Sequence, residues 1–246
     1  MAKHQFGLVG KNINYSFSKG YFTDKFQKRN LLDYNYSNID IQNIEEFPKY
    51  IKQNPSFSGL NVTIPYKETI IPYLDKLSKR AAEIGAVNTI KITKSGKLKG
   101  FNTDYLGFKK SLEPLLNQYH QKALILGTGG ASKAVAYALK KLKIPYLYVS
   151  RTADGEAISY NQITKNTFIE FQIIVNCSPV GTSPNSNSCP EIPYDFFTSN
   201  HIAFDLIYNP AETLFLKKAK EQGAVIKNGL EMLTLQAEKS WEIWGF

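Results

Sequence analysis

The sequence predicts an α/β protein of two domains, and three observations carry that expectation. A short apolar run, residues 123–126, breaks into Gly127-Thr128-Gly129-Gly130-Ala131-Ser132 and enters an alanine-rich helical pattern, which is a strand, a tight turn and a helix in succession. From residue 122 onward short apolar strands alternate with helical patterns, as expected of a doubly wound parallel sheet. Before residue 105 the pattern is different: β-α-β-α segments followed by a hairpin, with no glycine fingerprint. The domain boundary is therefore expected near residue 105.

The strands and helices are predicted in order from local signals. Residues 5–10 read as the first strand, and the polar loop 11–18 leads to a helix over 20–29, with Ser16 and Ser18 candidates for either an N-cap or a ligand. A second strand is expected over 33–41 and a short helix over 43–53, despite Pro48. The run from Ser58 is a strand stopped by Pro65, which gathers Asn61, Thr63 and Lys67 at a strand end, the place where flanked sheets bind ligands. A helix over 78–85 closes on a glycine, and 86–93 with 97–104 form a hairpin around 94–96. Asn88 and Asp104 stand at the open ends of that hairpin, and Asp104 equally suits the N-cap of a helix over 105–119. Strands then follow at 122–126, 146–150, 173–176, 202–206 and 225–227, with helices at 132–142, 213–222 and, last, 230–244.

Composition narrows the function classes. With 246 residues, 43% of them apolar, the chain can bury a sizeable core. Residues 1–10 hold no apolar signal region and no run reaches 18 apolar residues, so a cytoplasmic protein without membrane contact is expected. Cys177 and Cys189 have no metal spacing, and His4, His120 and His201 are scattered, which argues against a metal centre or a histidine-based nucleophile. The net charge of +9 is spread over short lysine groups within helical patterns, without aromatic interleaving, so nucleic acid is not an expected partner. The excess does favour anionic small molecules.

The glycine loop is suited to a pyrophosphate, whose charge would meet the unpaired N–H groups and positive dipole end of the following helix. In such a fold the end of the next strand selects the cofactor. Here that end is Ser150-Arg151-Thr152, and Arg151 offers a planar charged fork suited to the 2′-phosphate of NADP. Asp154 could pair with Arg151 or repel the phosphate.

Taken together, the chain resembles the shikimate dehydrogenase family over nearly its whole length. The matching pieces are Ser16-Phe-Ser18, Asn61-Val-Thr-Ile-Pro-Tyr-Lys67, Gly85-Ala-Val-Asn-Thr89, Asn102-Thr-Asp104, Gly127-Thr-Gly-Gly-Ala-Ser132, Ser150-Arg-Thr152, Asn176-Cys-Ser-Pro-Val-Gly181, Asp205-Leu-Ile-Tyr-Asn-Pro210 and Gly229-Leu-Glu-Met-Leu-Thr-Leu-Gln236. The resemblance implies a substrate-binding domain over 1–104, completed by the final helix 230–246, and a Rossmann-type NADP-binding domain over 105–229, with a cleft between them. It implies reversible, NADP-linked reduction of 3-dehydroshikimate to shikimate in aromatic amino-acid biosynthesis, by a monomer or homodimer. Lys67 and Asp104 match the family's catalytic pair, and Ser16 and Ser18 its substrate-carboxylate ligands. Asn61, Thr63, Asn88, Tyr208 and Gln236 match further substrate contacts. Gly127, Thr128, Gly129, Gly130, Ala131, Ser150, Arg151, Thr152 and Gly229 match the cofactor side. The chain departs from the family at Ser150, where an asparagine is common, at Asp154, where a basic residue is frequent, and at Thr182, where many members have methionine.

The chemistry of the pair follows from residue type. Interconverting an alcohol and a ketone needs a hydride acceptor and a proton carrier at oxygen. A lysine can donate to a developing alkoxide; burial would lower its pKa toward neutrality and a nearby carboxylate would oppose that. Lys67 is thus the expected acid/base with Asp104 as orienting partner, or the two titrate as one coupled unit. The alternatives in function are a quinate/shikimate dehydrogenase using NAD or NADP, and a non-catalytic NADP-binding sensor on the same fold.

Overall fold

A computed structural model describes residues 4–13, 16–153, 155 and 157–246, so Asp154 lies outside the described residues. The chain divides into two compact units, Met1–Thr103 with Ala237–Phe246, and Asp104–Gln236.

The first unit contains β1 (His4–Gly10), α1 (Phe17–Lys28), β2 (Tyr34–Asp40), α2 (Phe47–Gln53), β3 (Phe57–Val62), β4 (Lys76–Leu77), α3 (Lys79–Ile84), β5 (Thr89–Ile92) and β6 (Leu98–Phe101). They form one six-stranded mixed sheet in the order β2-β1-β3-β5-β6-β4. β1 lies parallel to β2 and β3, whereas β3, β5 and β6 run antiparallel to one another in turn. The 20–29 helix begins earlier than the pattern predicts, at Phe17, because the Ser16 hydroxyl accepts the Ser18 amide at 3.1 Å and caps it. Pro48 sits in the first turn of α2, where its missing N–H costs nothing. Gly85 ends α3 with φ +73°, a left-handed cap that favours glycine. One sheet face buries Val9, Leu60, Val62 and Ile90; the other gathers Phe6, Phe22, Phe26, Tyr36 and Trp241.

The second unit contains α4 (Asp104–Leu112), β7 (Ala123–Leu126), α5 (Gly130–Lys141), β8 (Tyr146–Ser150), β9 (Ala157–Ser159), α6 (Lys165–Glu170), β10 (Ile173–Asn176), β11 (Ile202–Asp205), α7 (Leu214–Glu221) and β12 (Val225–Lys227). α4 stops at Leu112, short of the predicted 119, because Pro114 cannot donate to a continuing helix and diverts it into a 3-10 turn over Glu113–Leu115. β9 and α6 are additional to the predicted elements. All strands are parallel, in the order β12-β11-β10-β7-β8-β9, which is the strand order of the doubly wound Rossmann fold. The order reverses between β7 and β10, and ligands bind such sheets beyond the carboxyl ends of the strands at that point.

The last helix, α8 (Leu230–Trp244), contributes to both units, through Gln236 to the second and from Ala237 to the first. In the second unit Gly107 allows α4 to approach it: a Cβ there would stand 2.4 Å from the Met232 carbonyl oxygen. In the first unit a Cβ at Gly59 would stand 2.3 Å from the Trp244 ring nitrogen, which itself donates to the Ile90 carbonyl at 3.0 Å.

Candidate active site

The polar residues of the first unit collect at one end of its sheet. The capping Ser16 oxygen accepts an amide, which leaves its O–H free to donate elsewhere, and Ser18 is 8% exposed in the first helical turn. Thr63 follows β3, its amide bonded to the Val9 carbonyl at 2.9 Å, and the half-buried Lys67 stands in the following turn, its carbonyl accepting the Val87 amide at 2.7 Å. That bond sets Lys67 beside Asn88 at the start of β5. Thr63, Lys67 and Asn88 are thereby brought together.

Asn61 is buried, and both ends of its amide are engaged by protein groups. Its Oδ1 accepts the Tyr36 hydroxyl at 2.8 Å, and its Nδ2 points at the Asn88 carbonyl (3.2 Å), Thr89 Oγ1 (3.3 Å) and Ser240 Oγ (3.1 Å). Asn88 continues the network: its Nδ2 donates to Thr103 Oγ1 at 2.9 Å and its Oδ1 accepts the Thr103 amide at 2.7 Å. Burial holds the Tyr36 phenol well above its ordinary pKa. Tyr36, Thr89, Thr103 and Ser240 are site-supporting residues that the sequence does not announce; the available signal is a polar residue at an otherwise apolar position, as in Ala86-Val-Asn-Thr-Ile.

In the second unit the glycine loop leaves β7 at the point where the strand order reverses. Gly127 has φ +110°, a left-handed conformation that favours glycine, and its amide donates to the Val149 carbonyl at 2.8 Å. That bond sets the loop beside Ser150, Arg151 and Thr152 at the end of β8, where Arg151 and Thr152 are exposed. Gly129 is the N-cap of α5, and a Cβ built on it meets nothing within 4 Å. Thr128 is exposed, Gly130 and Ala131 open the first turn of α5, and that turn carries no acidic residue. Ser132 is fully buried, its hydroxyl donating to the Gly129 carbonyl at 2.6 Å, so the residue that breaks the usual glycine fingerprint fastens the loop. An open cradle at a helix N-terminus, with an arginine just beyond the next strand, fits a dinucleotide carrying a 2′-phosphate.

The other predicted residues of this unit lie near two strand or helix ends. Asp104 is the first residue of α4 and 5% exposed; Gln236 is 7% exposed on α8, its Nε2 donating to the Leu233 carbonyl at 2.8 Å. Tyr208 is half-buried beyond β11. Gly229 belongs to the same neighbourhood: its amide donates to the Ile207 carbonyl at 3.0 Å, and a Cβ there would stand 2.0 Å from the Leu206 carbonyl oxygen. Asp205 ends β11 and is fully buried, accepting the Ile207 amide at 3.0 Å. Burial raises its carboxyl to about 6, against hydrogen bonds from Thr213, Ile207 and Asn176 that pull the other way.

Among the described residues no helix is long and apolar enough to cross a membrane, and no group of three or more His, Cys, Asp or Glu is arranged to hold a metal.

Comparison with known proteins follows the same lines. Residues 8–90 match the family model for the shikimate dehydrogenase substrate binding domain. The chain is 39% identical to a shikimate dehydrogenase (NADP(+)) of Clostridium botulinum, over 97% of this chain and 95% of that protein. It is similar to the crystal structure of shikimate dehydrogenase 1 from Peptoclostridium difficile, with a TM-score of 0.85 and 38% identity over 98% of this chain and 91% of that one. The Thermus thermophilus shikimate 5-dehydrogenase, solved with NADP(H) and shikimate, gives a TM-score of 0.86 and 30% identity over 98% of this chain and 93% of its own. At this identity over this length, the polar strand ends and the glycine cradle are those of a chain that belongs to the shikimate dehydrogenase family.

Proposed function

We propose that the chain is an NADP-dependent shikimate dehydrogenase, which reversibly reduces 3-dehydroshikimate to shikimate. The observation that carries this reading is the open Gly127–Ala131 cradle with Arg151 beside it, in a chain 39% identical to a relative named for NADP(+).

NADPH supplies the hydride. The amides at the start of α5 hold its pyrophosphate, with Thr128 lining the loop, and Arg151, between Ser150 and Thr152, takes the 2′-phosphate. Gly229 keeps the segment beyond β12 tight against Leu206. In the first unit the Ser16 and Ser18 hydroxyls donate to the substrate carboxylate, and Thr63 and Asn88 take ring hydroxyls. Lys67 donates a proton to the oxygen that becomes the alcohol and accepts it in the reverse direction. In the second unit Asp104 accepts from a ring hydroxyl, and Tyr208 and Gln236 complete the polar contacts. Asn61, whose amide like that of Asn88 is already held by protein groups, lines the same end of the sheet and supports Asn88 there.

The test is nicotinamide absorbance with shikimate or quinate against NADP+ or NAD+. Turnover is expected to be fastest with shikimate and NADP+; no turnover with any of the four pairs would overturn the enzyme reading, and preference for quinate or NAD+ would replace it with the broader quinate/shikimate activity. A cytoplasmic location goes with this reading, since the reaction consumes and regenerates a soluble nicotinamide cofactor.

A further inference from the structure

We propose that Asp205 is a positioning residue for the nicotinamide half of the cofactor site, an inference that rests on the NADP-dependent function proposed above. A doubly wound sheet offers two mononucleotide places, one on each half. The half made of β7, β8 and β9 carries the glycine cradle and Arg151. The half made of β10, β11 and β12 carries two loops at its carboxyl end, residues 177–181 and 206–213, and Asp205 ties both.

Its Oδ1 accepts from Asn176 Nδ2 at 3.1 Å and from the Ile207 amide at 3.0 Å, while Oδ2 accepts from Thr213 Oγ1 at 2.6 Å. Each partner passes the constraint on. Asn176 Oδ1 accepts the Ser178 amide at 3.0 Å and the Ser178 hydroxyl at 2.7 Å, and its Nδ2 reaches the Val180 carbonyl at 3.4 Å. Thr213 Oγ1 caps α7 by accepting the Leu216 amide at 3.3 Å. The loop after β10 begins against the cradle itself, since a Cβ on Gly127 would be 3.4 Å from the Cys177 carbonyl carbon. Asp205 is wholly buried, its hydrogen bonds go to Asn176, Ile207 and Thr213, and no cation among the described residues pairs with it. A carboxylate in such a place is costly unless its hydrogen bonds are needed. An apolar side chain would pack there, but would leave the Asn176 amide and the Ile207 N–H without an acceptor.

Calorimetric titration of the full chain separates this role from general damage. The probes are NADP+ and adenosine 2′,5′-bisphosphate, which has the adenosine and the 2′-phosphate but no nicotinamide. Asp205→Ala is expected to weaken NADP+ about tenfold, the scale of one lost hydrogen bond, and to leave the bisphosphate within about twofold. Asp205→Asn, whose amide oxygen can still accept from Asn176 and Ile207, is expected to keep NADP+ within about threefold. Equal weakening of both probes by Asp205→Ala, or weakening of neither, overturns the role. If that variant does not fold, Asn176→Ala removes the other end of the link and must show the same selective loss; an equal loss overturns the proposal. Wild-type protein that binds neither probe overturns the cofactor assignment itself.

Discussion

The Tyr36 hydroxyl donates to Asn61 Oδ1 across 2.8 Å in the buried interior, with Tyr36 1% and Asn61 5% exposed. The bond fixes which way the Asn61 amide faces, and so which acceptors its Nδ2 meets. Tyr36→Phe keeps the ring and leaves a buried oxygen without its donor. A loss of about 1–3 kcal/mol in urea unfolding is expected, and an unchanged midpoint would show that the bond contributes nothing.

Gly59→Ala places a Cβ against the Trp244 ring, which must shift. Overpacking of this kind costs about 1–3 kcal/mol. Both tryptophans of the chain, Trp241 and Trp244, lie on α8 in the first unit, so the change is readable as altered intrinsic fluorescence together with a lower melting temperature.

Lys67→Ala should reduce turnover by roughly 10²–10⁴, the usual scale of a lost proton carrier. Affinity for NADP+ should stay within about twofold, because the cradle and Arg151 belong to the other unit. Titration of the variant with NADP+ checks this, and a large loss of cofactor affinity would refute the role.

Arg151→Ala should weaken NADP+ by roughly 10–100-fold, the range of a charge-assisted bond to phosphate, and leave NAD+ nearly unchanged. Parallel loss with both cofactors would remove Arg151 from the 2′-phosphate.

Asp205 gives a pH-dependent stability. Its folded carboxyl titrates at about 6, above the ordinary 3.8, so the folded state holds the proton more tightly than the unfolded chain. The stability gained is complete below the unfolded value and is lost as the pH rises through 6. The span amounts to about 2–3 kcal/mol. The Asp205 charge also adds to the rise of the Tyr194 phenol, after burial and Cys189. Asp205→Asn should therefore gain on the wild type by about that amount between roughly pH 4 and pH 7.5 in urea unfolding; a constant difference would show an ordinary carboxyl.

Much of this architecture is legible in local sequence. The strand, glycine turn and helix around Gly127 are found where the apolar run and the alanines put them, because backbone sterics and helix capping act within a few residues. The limits have physical causes too. The predicted 105–119 helix ignores Pro114, and α6 is too short and too weakly patterned to be seen. The gathering of Thr63, Lys67 and Asn88 is legible as polar residues at strand ends. The Asn61–Ser240 bond is not, since it joins positions 179 residues apart and only the sheet and α8 bring them together. Asp205 lies inside a recognisable motif, yet only burial reveals that it braces two loops.

α8 has a consequence for how the polypeptide is made. The first unit is assembled from two stretches, with the whole of Asp104–Gln236 threaded between them. During vectorial synthesis the second unit has all its residues before the ribosome releases Trp241 and Trp244. Until then Gly59 faces no indole, the Ile90 carbonyl lacks its donor, and Asn61 lacks Ser240. The unit that is translated first is thus the one that must wait for residues from the end of the chain before its contacts are complete.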